Sequence, residues 1–298
     1  MPLEAIGPMM RRALEGGYAV GYFESWNLES LQGVVDAAEQ ARSPVILGFN
    51  GAFLSGPRPV AERLALYAAL GRAAAQSSLV PCGLIFNECP RDDWVVAAMD
   101  AGFNLVMLAD PEAAYAELID RVAAITRLGH SRDIAVEAEV GELPLGAAGG
   151  AGPANRGTPT DPATAAAFVA ATGIDLLAVS VGNVHIQTTG EQGLDLRLLA
   201  EIHRRVPVPL VLHGGTGIAA GALGEAITLG VAKVNFGTYL KQRYLKAMRA
   251  ALGRDSSDPH LLLGMGGPED ALVAGRLAVR DAVLERIDWL RCRGKAFG

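Results

Sequence analysis

Two apolar runs in the C-terminal half of the chain stop at polar, glycine-bearing turns: Val208-Pro-Leu-Val-Leu-His-Gly-Gly-Thr-Gly217 and Val234-Asn-Phe-Gly-Thr238. Each run has β character and is followed by a helical pattern, so hydroxyl, amide and backbone N–H groups arrive where a strand ends. That is the chemistry of an oxyanion or phosphate seat, with Gly214, Thr216, Asn235 and Thr238 as its candidate donors. The competing explanation is that Gly214, Gly215 and Gly217 only permit a tight turn.

Other apolar runs end in the same manner, on Asn50, Asn87, Glu88, Asp110, Glu137, Glu139, His185 and His213. Imidazole and carboxylate groups together suit zinc or a similar divalent ion, and a catalytic site needs about three protein ligands with one position open. Two of the 5 histidines fall in this group. A strand-end histidine can instead hydrogen-bond a neighbouring loop. Glu88, which precedes Cys89 and Pro90, can instead serve as a favourable charge at a helix N-terminus. His130, His203 and His260 stand at helix ends or in polar surroundings, where solvation or capping is the simpler role.

Positioning such groups takes an alternation of strands and helices. The strands are expected at 18–23, 44–49, 80–87, 105–109, 135–140, 176–181, 208–213 and 232–236. Helical periodicity covers 27–42, 60–76, 91–102, 112–128, 161–172, 194–205 and 218–229. Apolar runs without strict alternation indicate strands covered on both faces, as in parallel sheets. Eight βα units favour a (β/α)8 TIM barrel over an open doubly wound sheet, and no glycine-rich dinucleotide loop follows the first strand. Residues 1–298 then form a single domain. Additional C-terminal helices are expected at 239–252 and 269–292, within an extension over about 239–298. These helices either pack on a neighbouring subunit or seal their own barrel. The glycine-rich stretch about 141–160 predicts a mobile loop over the barrel mouth.

Composition narrows the function classes. The chain has 298 residues, 50% hydrophobic and 19% charged, enough for one large core. A net charge of −6 without a long basic run argues against nucleic acid or an anionic membrane as partner. No segment reaches the roughly 18 uninterrupted apolar residues of a membrane span, and the N-terminus lacks the apolar core of a signal peptide, so the expected location is cytoplasmic. Cys82, Cys89 and Cys292 lack paired spacing and suit reduced thiols better than a disulfide framework.

The chain resembles the class II, metal-dependent ketose-bisphosphate aldolase family, which includes fructose- and tagatose-bisphosphate aldolases. Among the tracts that carry the resemblance are Asn27-Leu-Glu-Ser30, Met99-Asp-Ala-Gly-Phe103, Val136-Glu-Ala-Glu-Val-Gly141, Thr160-Asp-Pro162 and Thr172-Gly-Ile-Asp175. Leu177-Ala-Val-Ser-Val-Gly-Asn-Val-His185, Leu212-His-Gly-Gly-Thr-Gly217 and Gly230-Val-Ala-Lys-Val-Asn235 complete it, in family order over nearly the whole chain.

The resemblance implies a zinc-type ion held by residues after strands 3, 6 and 7. His185 and His213 match two of those ligands, and Glu88 stands where the family has a histidine. Glu139 matches a strand-5 glutamate beside the metal. Asn87 stands where the family has its proton-handling aspartate, and an amide cannot act as a general acid or base. Gly214, Thr216, Asn235 and Thr238 match the phosphate-binding turns, with Thr216 keeping the hydroxyl of the usual serine. Ile186 and Thr189 replace the glycine and lysine after the strand-6 ligand, which removes a charge-assisted contact commonly worth about 1.5–3 kcal/mol. Where the family has an acidic loop residue, this chain offers only Glu142, near the loop's start.

The leading expectation is therefore an aldolase, a lyase of carbohydrate metabolism that cleaves or forms a C–C bond in a ketose or hydroxyketone, phosphorylated or not but other than the usual bisphosphate, through a metal-stabilised enediolate. In it, Asn87 orients a hydroxyl, and the candidate substitutes for the missing proton carrier are water, Glu88, Glu142 or a residue of a partner subunit. Aldolases of this group assemble as homodimers or homotetramers. The alternatives are a barrel that binds a sugar-phosphate-like ligand without catalysis, and a metal-dependent isomerase or epimerase using the same enediolate chemistry.

Overall fold

The structure is a computed structural model that describes residues 3–144, 157–185, 193–253 and 258–297. Strands β1 (Val20–Glu24), β2 (Val45–Asn50), β3 (Cys82–Cys89) and β4 (Leu105–Leu108) are followed by β5 (Ala135–Val140), β6 (Leu176–Val179), β7 (Leu210–Leu212) and β8 (Val231–Phe236). They pair in parallel, in sequence order, and close into a barrel. Every residue of β1, β2, β4 and β8 is buried, the consequence of helices outside and side chains inside. The expected (β/α)8 barrel with C-terminal helices is the observed architecture.

Helices alternate with the strands: α1 (Ile6–Gly16), α2 (Leu28–Ala41), α3 (Gly51–Ser55), α4 (Leu64–Ser77), α5 (Asp92–Ala101), α6 (Tyr115–His130) and α7 (Pro162–Thr172). Then come α8 (Leu196–Arg205), α9 (Ala220–Thr228), α10 (Thr238–Leu252), α11 (Pro259–Leu262) and α12 (Ala271–Trp289). Local chemistry sets their ends. Asn27 Oδ1 accepts from Ser30 N at 2.9 Å while Ser30 Oγ accepts from Asn27 N at 3.1 Å, a reciprocal cap that starts α2. Asp161 caps α7, Pro162 occupies its first position, and Gly173 ends it at φ 68°.

Three helices are additions to the sequence-based layout. Ile6, Met9, Met10 and Ala13 of α1 are buried, and Glu4 N donates to Cys82 O at 2.9 Å, so this helix closes the N-terminal mouth of the barrel. The expected helix at 60–76 starts at Leu64, after the short α3 that directly follows β2. The short α11 lies ahead of α12.

α12 packs against α2 and α10 of its own barrel. Arg276 donates to both oxygens of Asp36 at 2.6 and 2.7 Å, and a Cβ on Gly33 would lie 2.6 Å from Arg276 O. Val283 and Ile287 are buried there, whereas Leu277 is exposed. Among the described residues no helix is long and apolar enough to cross a membrane, and all three cysteines are buried, free thiols.

Candidate active site

A barrel of parallel strands gathers the C-terminal ends of all its strands at one mouth. β3 brings two adjacent side chains there by breaking its own regularity. Phe86 pairs with Val106 and Cys89 with Leu108, so β3 carries one residue more than its neighbour over this span, and Glu88 adopts φ 53°. A regular strand would turn Asn87 and Glu88 to opposite faces, but the bulge lets both line one cavity of about 370 Å3. A positive φ on a side-chain-bearing residue is a cost tolerated where function fixes the geometry.

His213 follows β7 and is enclosed by carboxylates. Its Nε2 lies 2.9 Å from Glu137 Oε1, and its Nδ1 lies 3.0 Å from Glu88 Oε1 and 3.1 Å from Glu139 Oε2. Burial alone would push the imidazole pKa down, but the three carboxylates outweigh it and raise it well above the ordinary value. Burial works against ionisation of Glu88 too; His213, His185 and Asn87 overcome it and hold that carboxyl well below the usual range. His185 Nε2 stands 3.6 Å from Glu88 Oε1, and Asn50 Nδ2 donates to Glu88 Oε2 at 2.8 Å.

Among the described residues no three such side chains form a ready cation cage, because His213 meets Glu88 and Glu139 directly. The donor set still fits a divalent ion. Four ligands held tetrahedrally at zinc-type distances of about 2.0–2.1 Å are about 3.3 Å apart. The observed edges of 3.0, 3.1 and 3.6 Å bracket that value. Glu137 engages Nε2, leaving Nδ1 as the atom that would give up its proton to an ion.

The expected anion seat lies on the same cavity. Gly214 has φ 65°, and a Cβ there would come within 2.1 Å of Val184 O, so this turn requires glycine. Thr216 Oγ1 accepts from Tyr239 N at 3.1 Å, tying the turn to the first residues of α10. Gly214, Thr216, Asn235 and Thr238 all line the cavity. Three further buried polar atoms on residues of its wall, Tyr22 Oη, Asn87 Oδ1 and Asn235 Nδ2, have no hydrogen-bond partner among the described residues. Buried polar atoms without partners are rare, and these belong to residues that line a space sized for a small polar molecule.

Glu142 is not among the residues that line this cavity: it is exposed, and its backbone is bridged to Thr158 at 2.8 and 2.7 Å. Asp110 also leaves the rim group, because Arg121 Nη1 holds it at 2.7 Å. Ile186, Thr189 and the glycine tract at 146–152 lie outside the described residues.

Sequence reasoning overlooks four residues of the region. Tyr22 and Glu24 on β1 and Lys241 on α10 line the cavity, and Lys233 lies buried beneath it, with Nζ 2.8 Å from Glu137 Oε2. Glu24 directly follows the apolar run 18–23, the same signal that marks Asn50 and Asn87.

Comparison with known proteins agrees with this fold. Residues 4–295 match the family model described as fructose-bisphosphate aldolase class-II. A fructose-bisphosphate aldolase of Geobacillus stearothermophilus is 33% identical over 304 residues, covering 99% of each protein. A Bacillus subtilis (strain 168) protein named "Probable fructose-bisphosphate aldolase" is 35% identical over 272 residues, covering 89% of this chain and 92% of that protein. The crystal structure of the YdjI aldolase from Escherichia coli K12 superposes with a TM-score of 0.80 at 30% identity, over 99% of this chain and 100% of that one. The chain belongs to the class II fructose-bisphosphate aldolase family, and is by that membership an aldehyde-lyase.

Proposed function

We propose that this chain is a metal-dependent aldolase that reversibly cleaves a C–C bond in a ketose or hydroxyketone carrying a phosphate or another polar group at one end. The observation that carries the reading is the meeting of Glu88, His185, His213 and Glu139 beside a cavity whose wall holds partnerless polar atoms. Glu88, His185 and His213 are the proposed ligands, with Glu139 alongside, and zinc is the first candidate ion.

A divalent cation bound there would supply a Lewis acid for the carbonyl oxygen. The chain's own residues bind and orient. Gly214, Thr216 and the start of α10 at Thr238 offer donors to the anionic end, and Asn235 Nδ2 is free to donate to the same portion. Asn87 Oδ1 accepts from a substrate hydroxyl without taking its proton. Burial, with Glu24, Glu88 and Glu137 nearby, pushes the Tyr22 phenol well above its ordinary pKa, so it stays neutral and donates.

Metal analysis of the purified protein combined with a retro-aldol screen tests this. A protein without bound divalent ion, releasing no carbonyl product from any ketose with added zinc, cobalt or manganese, would refute it. The same reading includes a homodimer or homotetramer, supported by exposed Leu263 and Met265, and sedimentation measures it.

A further inference from the structure

C–C cleavage needs a group that takes a hydroxyl proton, and the residues assigned so far provide none. Asn87 does not ionise, Glu88 is engaged with His213, and Glu142 lies off the wall. Another carboxylate on the cavity wall, Glu24 at the end of β1, is only 9% exposed.

Its position is built from three sides. Lys241 Nζ reaches Glu24 Oε1 at 2.5 Å from the first turn of α10, and itself lies over the ring of Phe53, 4.5 Å from the centroid. A Cβ at residue 237 would fall 2.2 Å from Glu24 Oε2, so the bare backbone of Gly237 makes the space that oxygen occupies. β1 stands between β8, which carries Asn235 of the anion seat, and β2. Glu24 therefore lines two adjoining spaces: the main cavity and a smaller one of about 220 Å3 walled by Trp26, Phe49, Phe53 and Tyr67. Glu24, Asn50, Phe53 and Lys241 line both spaces, so these residues border the passage from the Gly214–Thr216 seat to the smaller one.

We propose that Glu24 is the proton-transferring carboxylate of this aldolase, acting on the hydroxyl of the substrate half that becomes the aldehyde, with that half directed into the aromatic-walled space. This rests on the aldolase reading above. In cleavage, Glu24 takes the hydroxyl proton and the freed oxygen pair forms the aldehyde C=O. The C–C bonding pair passes to the hydroxyketone half as an enediolate, which takes one proton on carbon from water. Glu24 returns its proton to solvent, so protons and electrons balance. The charged groups around Glu24 are Lys241 from α10, Glu88 from β3 and His185 beyond β6. Burial raises its pKa and Lys241 opposes that only in part, leaving a carboxylate that accepts a proton more readily than an exposed one.

Wild type and Glu24→Gln are compared, with zinc added, in two assays: aldehyde release from the best ketose of the screen, and exchange of solvent deuterium into the carbon-bound position of the hydroxyketone half. Only the first requires removal of the hydroxyl proton. The expected result is a loss of cleavage of roughly 10²–10⁴-fold with metal content and exchange undiminished. Cleavage by Glu24→Gln at the wild-type rate overturns the role. A parallel loss of exchange and metal overturns it too, because Glu24 would then act by supporting the site. A wild type inert in both assays and free of metal overturns the underlying reading and this role with it, an outcome that the wild-type arm alone identifies.

Discussion

Glu137 Oε1 accepts from His213 Nε2 at 2.9 Å in a fully buried position, and the same carboxylate is held by Lys233. Burial opposes ionisation of Glu137, yet Lys233 and His213 together keep its pKa below the ordinary value. An ionised carboxylate only accepts, so Nε2 carries a proton whatever the state of Nδ1, the ring atom turned toward Glu88 and Glu139. The imidazole is thus oriented from below, and its Nε2 proton held there, by residues outside the cavity lining.

Replacing Glu137 with Gln keeps the shape and removes the charge. Outer partners of metal-ligating histidines commonly contribute 10–100-fold to affinity, and a loss of about that size is expected here. Competition against a zinc chelator measures it; unchanged affinity would show that His213 needs no such support.

Lys233→Met tests the other side of that carboxylate. Burial lowers the lysine pKa and Glu137 opposes the shift, so the ammonium is retained only because its partner is present. Removing one member of a buried pair leaves the other uncompensated, at a cost of about 3–5 kcal/mol. Denaturant unfolding should show that loss, and Lys233→Met combined with Glu137→Leu should recover part of it.

Much of this arrangement is legible from local pattern. The strands stand out because they are apolar runs cut by polar turns, and Glu137 and Glu139, two residues apart, share a face as alternation requires. Ile6, Met9, Met10 and Ala13 also recur at helical spacing, so α1 is readable once that stretch is treated as structure. The bulge at Glu88 is not: adjacent residues in a strand should diverge, and only pairing with β4 reveals the extra residue. Glu24 escapes notice because its partner lies 217 positions away, on α10. Pairing over such distances is set by barrel closure, which no local window contains.

The Glu24–Lys241 pair predicts a pH effect with a definite sign. Burial raises the Glu24 pKa and Lys241 partly offsets it. Lys241→Met removes the offset, so Glu24 should hold its proton to higher pH and the acidic limb of the kcat profile should move upward. A limb that stays in place would show that some other group controls it.

Asp270 makes the docking of α12 sensitive to acid. Its Oδ1 accepts from Leu272 N at 2.8 Å and Val273 N at 3.4 Å, while Oδ2 accepts from Gly264 N at 2.8 Å and Gly266 N at 2.9 Å. These bonds, Gly266 foremost, favour the ionised form and place the folded pKa below the ordinary value. The stability they provide is therefore complete at neutral pH, above the unfolded pKa of about 3.9, and is lost as pH falls through the lower folded pKa. Asp270→Ala removes a helix cap worth about 0.5–2 kcal/mol, and the seat of the two loop N–H groups besides. Thermal melts of wild type and variant should differ most at neutral pH and converge in acid. A gap that stays constant down to pH of about 2 would mean that the ionised carboxylate is not what anchors the helix.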